Sequence, residues 1–446
     1  MIPVKPRARQ DKTSLWNYMR AFRRDILSAQ PQRLYRAWMA EFRTPFFRSY
    51  MINQPDLIKT VLKTRPDDFP KSMRIAEGLR PLLGDSVFLT NGAQWRAQRR
   101  IIDPAFEGGR LRAAMPSMQA AADAAVDRIS EGVQEFEELA SYAAADVIFR
   151  TLFSIPITHD IAAEVFQEFR AYQRAQPILN IAAFIPLPRW MPRFHSRATR
   201  RSASRIRNLI SELTRQRADQ IAAGTAPDDL ATKIMTTPDP ETGHCFEWRE
   251  MVDQVAIFFL AGHETSASAL AWSLYLLAEN QDVQARLALE VAEHDLDMAG
   301  LSKMTLLRGV FREALRLYPP VPMMVRETTC PEGFRDRTLP TGSQVVLSPW
   351  HLHRHERLWD DPDAFNPERY DSENGKTCLR DAFIPFSAGA RVCPGAGFAM
   401  LEGPLLIAAI LRKYRVSMTD HGRPVQVAHL TVRAKNGIWL RFQSLD

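Results

Sequence analysis

The most constraining feature of the sequence is a ten-residue stretch that reads FSAGARVCPG and ends at Gly395. Gly389 and Gly395 allow the backbone to approach a flat, bulky group closely, and Pro394 favours the first turn of a following helix. Cys393 would then lie at a helix N-terminus, where unpaired N–H groups, the helix dipole and the cation of Arg391 favour a thiolate. The stretch therefore predicts a sulfur that acts as a nucleophile or as a metal ligand.

Cys393 has no second cysteine close enough in sequence to complete a zinc or iron–sulfur site, because the nearest other cysteine is Cys378. A single thiolate suits one axial position of a haem iron. A buried structural cysteine in a glycine-containing loop is the alternative that this loop leaves open by itself. Other parts of the chain must decide between the two interpretations.

Five positions of the loop have the spacing Phe-x-x-Gly-x-Arg-x-Cys-x-Gly, which resembles the haem-ligand loop of the cytochrome P-450 (haem-thiolate monooxygenase) family. The residues that fill these positions are Phe386, Gly389, Arg391, Cys393 and Gly395. The resemblance implies that Cys393 ligates the iron of haem b (iron protoporphyrin IX) and that the loop contacts the porphyrin. By this resemblance the chain is identified as a soluble, bacterial-type member of the family.

Composition and charge limit the classes of protein that the chain can belong to. Its 446 residues, 46% hydrophobic and 24% charged, have an ordinary globular balance. Four irregularly spaced cysteines argue against a disulfide framework and for a reducing compartment, so we predict a cytoplasmic protein. The net charge of +7 would suit an acidic partner, but no RNA- or DNA-binding motif accompanies it, and we predict no nucleic-acid partner.

Residues 1–45 are predicted to form a basic, helical N-terminal extension. Lys5, Arg7 and Arg9 are not followed by an apolar run, so we expect neither a signal peptide nor an integral membrane segment. The stretch Leu15–Arg43 mixes aromatic residues with arginines and could lie on a membrane surface or resemble an organellar transit segment. An ordinary amphipathic surface helix is the interpretation that we favour.

Trp95 and Arg99 are four residues apart in a predicted helix, so an indole N–H and a guanidinium can face one anion. A tryptophan packed under a solvated basic face explains these two residues equally well. In the cytochrome P-450 family a Trp-x-x-x-Arg helix binds a haem propionate, and the resemblance implies that role for Trp95 and Arg99. Arg326 matches a second propionate-binding position of the family, with an exposed basic turn residue as the alternative.

A long apolar stretch at residues 255–276 approaches the length of a transmembrane helix. His263 and Glu264 at its centre would be costly in lipid, so we predict a helix buried in a soluble protein. Gly262 weakens such a helix, and the hydroxyl of Thr265 can bond to a carbonyl one turn earlier. We therefore expect the helical hydrogen bonds to open locally at this point.

An acid and a hydroxyl side by side, Glu264 and Thr265, can carry protons into an otherwise dry pocket. The run from Ala261 to Thr265 resembles the family's oxygen-activation motif. The resemblance implies proton-delivery roles for Glu264 and Thr265 and contact of Ala261 with the cofactor. His263 occupies the variable position of that motif and receives no catalytic role.

Glu313 and Arg316 are three residues apart on a predicted helix and by themselves indicate a surface ion pair worth about 0.2–0.5 kcal/mol. Together with Arg369 in the sequence Asn-Pro-Glu-Arg-Tyr, they match the family's Glu-x-x-Arg helix and the loop whose arginine completes a buried ion triad. The resemblance implies structural roles for these three residues. Tyr370 stands where the family usually has phenylalanine, which is a departure from the pattern.

Apolar side chains indicate the chemistry of the substrate. By resemblance, residues 178–194 form a lid over the substrate channel. Phe258, Met323, Met324 and Val325 are candidates for the pocket, and they favour an apolar ligand. Terpenoids, steroids, fatty acids and aromatic compounds all fit that description, so the substrate stays open.

The β content is predicted to be small. Residues 344–347 form a predicted strand, and the Asn436-Gly437 pair predicts a hairpin that joins 430–433 to 438–442. With the helical patterns elsewhere, the family motifs imply a mainly α fold with small β-sheets (α+β), a cytochrome P-450 fold. We predict one haem-thiolate monooxygenase domain over residues 1–446.

The resemblance implies an oxidoreductase that activates O₂ and hydroxylates, or otherwise oxidises, an apolar small molecule. Because 446 residues leave no room for a fused reductase, its electrons would come from a separate ferredoxin or flavodoxin and its reductase. We predict that the protein is a monomer. Alternatives are a peroxygenase or a dehydratase/isomerase on the same fold, or a non-catalytic haem-binding protein.

Overall fold

The computed structural model describes residues 1–43, 48–175, 197–428 and 430–445. The described chain forms two compact units. Unit 1 comprises Met1–Phe69, Ala122–Ala143 and Glu264–Asp446, and unit 2 comprises Pro70–Ala121 and Ala144–His263. The predicted lid at 178–194 lies entirely outside the described residues, so its role stays a prediction.

Most of the described secondary structure is helical. The helices are α1 (Leu15–Arg24), α2 (Pro55–Lys59), α3 (Met73–Leu83), α4 (Gly92–Ile102), α5 (Gly108–Val126), α6 (Phe136–Phe153), α7 (Asp160–Ala175), α8 (Arg197–Ala222), α9 (Leu230–Thr236), α10 (Trp248–Glu279), α11 (Gln281–Ala292), α12 (Met298–Lys303), α13 (Thr305–Leu317), α14 (Pro349–Leu352), α15 (Glu373–Asp381) and α16 (Ala396–Lys413).

The strands are short and lie in unit 1. They are β1 (Met39–Arg43), β2 (Arg48–Ile52), β3 (Gly132–Glu135), β4 (Met324–Glu327), β5 (Glu332–Phe334), β6 (Arg337–Leu339), β7 (Gln344–Leu347), β8 (Tyr414–Met418), β9 (Gln426–Ala428), β10 (Val432–Ala434) and β11 (Trp439–Ser444). They form sheets with the strand orders β1-β2-β7-β4, β3-β11-β8, β9-β10 and β5-β6. The predicted fold class, mainly α with small β-sheets, is confirmed.

The four-stranded sheet has hydrophobic residues on both faces. Strand β2 runs parallel to β7, and Met51 and Val346 are partners in that register. On one face, Met324 packs with the larger cluster around Tyr50 and Leu347. On the other face, Met323 packs with Leu34, Ala40 and Met51. This alternation follows from the two-residue period of a strand, and β4 is an edge strand of the sheet.

The core of unit 2 is built around Phe259 of α10. The ring of Phe259 lies 4.5 Å from that of Phe169 and 4.9 Å from that of Phe149, measured between centroids. His263, one turn later, stacks on Phe259 and meets Phe166 edge-on. His263 is 1% exposed. His263 is therefore part of the aromatic core of unit 2.

Helix α10 is continuous, contrary to the local opening expected near Gly262 and Thr265. Every residue from Trp248 to Glu279 is helical. The glycine has a packing reason instead, because a Cβ atom at Gly262 would lie 2.8 Å from Cδ1 of Ile148 on α6. The missing side chain thus allows two helices of unit 2 to approach closely.

The predicted C-terminal hairpin is wrong in its pairing, although the turn exists and Gly437 has a φ of +76°. Strand β10 pairs with β9, whereas β11 pairs with β3 and β8. The turn therefore moves the chain from one sheet to another. A two-residue turn signal specifies a change of direction, but the partner of each strand is decided by packing with distant parts of the chain.

Within the described residues, each helix is either too short or too polar to cross a lipid bilayer. Main-chain carbonyl groups near the N-terminus accept hydrogen bonds from later parts of unit 1. The N–H of Phe365 donates to the carbonyl oxygen of Met1 at 3.0 Å, and the hydroxyl of Tyr318 donates to that of Val4 at 2.9 Å. Helix α1 is the helical part of the basic extension, and β1 joins the four-stranded sheet.

Candidate active site

The cysteine loop is held in shape by main-chain hydrogen bonds. The N–H of Cys393 donates to the carbonyl oxygen of Phe386 at 2.9 Å, and a short 3₁₀ helix spans Gly389–Arg391. Helix α16 begins at Ala396, with Gly395 as its N-cap, so Pro394 precedes the first turn rather than opening it. Cys393 is exposed and forms no disulfide. The loop thus presents its sulfur at the entrance to a helix.

Gly389 is required by its backbone conformation and by its surroundings. Its φ is +68°, and a Cβ atom at this position would lie 2.0 Å from the carbonyl oxygen of Leu62. A side chain would be strained at such a φ, and it would also displace the backbone of the segment that follows α2. The cysteine loop is therefore seated directly on the main chain at Leu62.

Two arginines are buried in unit 1 within electrostatic range of each other. Arg391 lies in the cysteine loop, and Arg326 is on β4 and is 7% exposed. Burial and, secondarily, repulsion by Arg391 lower the pKa of Arg326 to about 10. Asp67, which is 4.0 Å from Arg391, is itself mostly exposed. The pair therefore forms a buried cationic region that an anion would stabilise.

The donor pattern of Arg326 fits the propionate groups of a haem. Its Nη1 donates to the carbonyl oxygen of Val325 at 3.2 Å, and its buried Nε has no hydrogen-bond partner in the described part of the chain. No ion pair joins Arg326 to a described acidic residue. Since a buried charge normally has a partner, the site is built for an anionic group. Haem carries two such carboxylates, so the residues present fit the cofactor.

Trp95 and Arg99 share one face of α4 in unit 2, as predicted. The guanidinium carbon of Arg99 is 5.9 Å from the ring centroid of Trp95, and Lys71 lies 5.7 Å from the same ring. Arg99 also forms an ion pair with Asp103 at 2.6 Å, one turn further along the helix. A propionate bound here would therefore share Arg99 with Asp103. The predicted role of the two residues stays a prediction.

One face of α10 is less covered than the rest of the helix. Ala261 is exposed, and Phe258, Gly262 and Thr265 are partly exposed, whereas Glu264 is 9% exposed. Residues 258, 261, 262 and 265 follow the i, i+3, i+4, i+7 pattern of a single helix face. The small residues of this face, Ala261 and Gly262, leave room beside the helix, which is compatible with the cofactor contact predicted for Ala261.

Glu264 is held by two donors from the C-terminal region of unit 1. Its Oε1 accepts a hydrogen bond from Oγ1 of Thr431 at 2.5 Å and another from Nη2 of Arg433 at 2.5 Å. Thr431 is 3% exposed, whereas the side chain of Arg433 is 42% exposed. Sequence reasoning missed these two residues, because the contacts join positions more than 160 residues apart and neither residue belongs to a recognisable motif.

A second buried carboxyl group lies on α16. Oε2 of Glu402 accepts a hydrogen bond from Oγ of Ser266 at 2.9 Å, and Oε1 has no partner in the described chain. Burial raises the pKa of Glu402 to about 8, and the bond from Ser266 offsets this only in part. Glu402 is therefore mostly protonated near neutral pH. Glu402 lies nine residues after Cys393, and the sequence around it contains no pattern that predicts a buried carboxyl group.

Glu402→Gln should remove a pH-dependent loss of stability. Between pH 5.5 and 7.5 the unfolded chain ionises Glu402 while the folded chain keeps it protonated, so the free energy of unfolding falls as pH rises. We expect the difference in the free energy of unfolding, variant minus wild type, to increase by about 2–3 kcal/mol from pH 5.5 to pH 7.5. Urea unfolding at each pH measures the difference. A difference that does not change with pH would contradict the raised pKa of Glu402.

The predicted ion triad is present and fully buried. Glu313 and Arg316 are each 0% exposed, and Nε and Nη2 of Arg316 donate to the two carboxylate oxygens of Glu313 at 2.8 and 2.7 Å. Nε of Arg369 donates to Oε1 at 3.2 Å. Burial opposes ionisation, but the charges of Arg316 and Arg369, together with the hydrogen bonds that the carboxylate accepts, outweigh it and hold the pKa of Glu313 below its usual value. The surface pair suggested by the spacing alone is excluded.

Tyr370, the departure from the family pattern, joins this triad. Its hydroxyl donates to Oε2 of Glu313 at 3.2 Å, and the N–H of Asn366 donates to Oε1 at 3.1 Å. The tyrosine thus supplies one more hydrogen bond to a buried carboxylate than a phenylalanine could. Tyrosine at this position is therefore compatible with the ion triad and adds a hydrogen bond to it.

Comparisons with known proteins agree with this geometry. The family model described as Cytochrome P450 matches residues 29–440. The chain is 31% identical to cyclooctat-9-en-7-ol 5-monooxygenase of Streptomyces melanosporofaciens, over 85% of this chain and 82% of that protein. It is 29% identical to a cytokinin hydroxylase of Arabidopsis thaliana, over 87% and 77% of the two chains. It is 27% identical to human cytochrome P450 4F2, over 94% and 85%.

The family match spans both compact units and includes the cysteine loop, the acid–hydroxyl pair and the ion triad. Two of these three relatives are named for oxygenation or hydroxylation. A thiolate-bound haem is the cofactor that the family implies, and the buried arginines of unit 1 fit its carboxylates. The chain therefore belongs to the cytochrome P450 family and is a monooxygenase of that family.

Proposed function

We propose that the protein binds haem b and uses O₂ to hydroxylate an apolar small molecule, with electrons from separate proteins. The observation that carries this proposal is the arrangement in unit 1 of an exposed Cys393 in the same loop as the buried Arg391, whose charge repels that of the buried Arg326. A sulfur that can ligate a metal and a buried cationic region match the iron and the propionates of a haem, respectively. The remainder of the porphyrin is apolar and requires only packing.

Each site residue is proposed to have one role. Cys393 would ligate the iron, and Arg326 and Arg391, with Trp95 and Arg99, would bind the propionates. Contact with the porphyrin would come from Ala261, Phe386, Gly389 and Gly395. When bound, the haem supplies the redox chemistry of O₂ activation, which electron donation from a thiolate ligand favours.

Glu264 and Thr265 would deliver protons to the site where O₂ is reduced. Both hydrogen bonds to Glu264 end on Oε1, so Oε2 is the oxygen that can receive a proton and release it. Thr265 follows it on α10 and is partly exposed. The buried side chains around them, including His263 and Leu260, exclude bulk water from this part of the helix.

The substrate is proposed to be an apolar molecule with few polar groups. One relative is named for 5-monooxygenation of cyclooctat-9-en-7-ol, which its name describes as an unsaturated alcohol. In this chain Met323 and Met324 pack into the clusters of unit 1, so they serve the core as well. Val325 and Phe258 are partly exposed and remain the better candidates for substrate contact.

The function can be tested by adding candidate ligands to the purified ferric protein. Apolar alcohols, steroids, fatty acids and aromatic compounds should be screened for a Soret shift that reports displacement of the haem-bound water. Compounds that shift the band are then supplied with ¹⁸O₂ and an electron source, and we expect one ¹⁸O atom in the product. Turnover with hydrogen peroxide but none with O₂ and electrons would establish a peroxygenase instead.

The proposed electron donor is an acidic ferredoxin or flavodoxin, with its own reductase. A cavity of about 420 Å³ in unit 1 is lined by Lys59, Lys63 and Arg380 and by two residues of the cysteine loop, Ser387 and Ala388. Asp56 and Asp381 also line it, so the cations exceed the anions by one (three minus two). Exposed cations next to the ligand loop would steer an acidic partner towards the haem.

Lys59→Gln combined with Lys63→Gln should slow reduction of the ferric protein by an acidic ferredoxin. We expect about a tenfold lower second-order rate constant at low ionic strength, because steering by charge acts on the association rate. Stopped-flow reduction measures the rate, and added salt should reduce the difference from wild type. Lys303→Gln, an exposed lysine of α12, is the control. Equal rates for all variants would exclude docking at this cavity.

We further propose that residues 1–446 act as one catalytic domain in a cytoplasmic monomer. The two compact units would then be parts of one catalytic module, since the family match extends across both. The cytoplasmic location is supported by the four cysteines, of which none forms a disulfide among the described residues. Size-exclusion chromatography with light scattering tests the monomer.

A further inference from the structure

We infer that Thr431 and Arg433, on the segment that ends in β10, are positioning residues for Glu264 and set how efficiently it transfers protons. The inference rests on the proposed function, in which Glu264 delivers protons for O₂ reduction. It assigns a new role to a part of the chain outside the recognised motifs. Neither residue is proposed to touch the cofactor or the substrate.

The first argument is the asymmetry of the carboxylate. Oε1 of Glu264 receives both donors, Oγ1 of Thr431 and Nη2 of Arg433, at 2.5 Å each. Within the described chain, Oε2 makes no hydrogen bond. Anchoring one oxygen fixes the side-chain torsions and leaves the other oxygen to exchange protons. A purely structural ion pair with an arginine would more commonly use both oxygens, as the pair of Glu313 and Arg316 does.

The second argument is the rigidity of the element that supplies the donors. The carbonyl oxygen of Val432 accepts a hydrogen bond from Oγ of Ser268 at 2.6 Å. The N–H of Val432 donates to the carbonyl oxygen of Pro320 at 2.9 Å. Ser268 lies one turn after Glu264 on α10, so two successive turns of the helix bind this segment. The N–H of Ala434 donates to Oε1 of Glu137 at 2.8 Å. The donors are therefore held in place independently of Glu264.

The third argument is the gradient of exposure across the contact. Glu264 and Thr431 are buried, but the side chain of Arg433 is 42% exposed. The guanidinium of Arg433 does not itself give up a proton, but it holds the buried acid next to a position that water reaches. A proton donor that works repeatedly must be recharged from solvent, and Arg433 fixes the carboxylate at a contact whose outer side is exposed.

The test compares Thr431→Val, Arg433→Gln and Arg433→Lys in the holoenzyme, with Arg441→Gln as control. Arg441 is an exposed arginine on β11 that forms no described ion pair. Reduced ferredoxin and its reductase supply electrons, and geraniol, an alkenol, is the probe substrate. The measured quantity is hydrogen peroxide released per O₂ consumed, which is defined whether or not geraniol is oxidised. Oxygen uptake in H₂O and D₂O gives the solvent isotope effect.

We expect Thr431→Val and Arg433→Gln to lower the rate of O₂ consumption about tenfold, since small displacements of a catalytic group can cost up to about 10²-fold. Both should also raise the peroxide fraction and the solvent isotope effect. Arg433→Lys should recover part of the loss, and Arg441→Gln should match wild type. A purely structural role would lower the unfolding midpoint without changing the isotope effect.

The outcomes separate this inference from the function on which it rests. If Glu264→Gln is impaired while Thr431→Val and Arg433→Gln behave like wild type, the positioning role is wrong and the role of Glu264 stands. If Glu264→Gln itself behaves like wild type, proton delivery by Glu264 is wrong. A second readout needs no turnover, because a double-mutant cycle in urea unfolding should give non-additive midpoints for Glu264→Gln and Arg433→Gln. Additive midpoints would show that the contact is absent in solution.

Discussion

Replacing Cys393 with serine should abolish turnover and the spectrum of a thiolate-ligated haem in the reduced, carbon monoxide-bound protein. A serine hydroxyl has nearly the same size, but it stays protonated at neutral pH and is a much weaker donor to iron. Because the loop is shaped by its main chain, including the bond from the N–H of Cys393 to Phe386, the substitution should leave the fold intact. The carbon monoxide difference spectrum and the product assay measure the two effects.

The other cysteines provide matched controls for this experiment. Cys245→Ser and Cys330→Ser replace partly exposed thiols and should leave the spectrum and turnover unchanged. Cys378 is buried, and burial raises the pKa of its thiol to about 11, so it is a poor candidate for a thiolate ligand. If the Cys393→Ser protein retained the wild-type spectrum and turnover, Cys393 would not be the ligand, and the haem-thiolate assignment of this loop would be wrong.

Replacing Glu313 with alanine should destabilise the protein by about 3–5 kcal/mol and reduce its haem content, the second-largest effect that we expect. The substitution leaves the guanidinium groups of Arg316 and Arg369 buried without their carboxylate, and an uncompensated buried charge is costly. The loop that contains Arg369 would lose its attachment to α13. Urea unfolding of the holoprotein and the haem-to-protein ratio measure the change.

Tyr370→Phe is the graded control, because it restores the residue usual in the family. It removes one neutral donor to Glu313 and should cost only about 1 kcal/mol. Glu212→Gln breaks another pair with i,i+3 spacing, formed with Arg215 on the exposed surface of α8, and should not change stability measurably. If Glu313→Ala were no more destabilising than Glu212→Gln, the triad would not stabilise the core.

The motifs predicted from sequence are those whose residues are close together along the chain. The cysteine loop, the Trp95–Arg99 face and the pair of Glu313 and Arg316 each depend on a fixed local spacing, and the structure has all three. Local spacing could not reveal burial. The same i,i+3 arrangement describes the exposed pair of α8 and the fully buried pair of α13, and only tertiary packing separates them.

Features that depend on distant contacts were missed or predicted wrongly. Thr431 and Arg433 reach Glu264 across more than 160 positions, and neither has a residue type unusual for a strand or loop. The turn at Gly437 was predicted, but its strands pair with other parts of the chain. The expected opening of α10 failed because Gly262 provides close packing against Ile148, a contact that the sequence does not display.

The contact between Gly389 and the carbonyl oxygen of Leu62 has a consequence for protein engineering. Because this contact is made by main-chain atoms, it does not depend on which side chains surround the cysteine loop. Libraries that vary side chains to obtain new substrates can therefore include neighbouring positions without removing the contact that seats the loop. Insertions or deletions in the segment after α2 are different, since they would move the surface on which the sulfur is mounted.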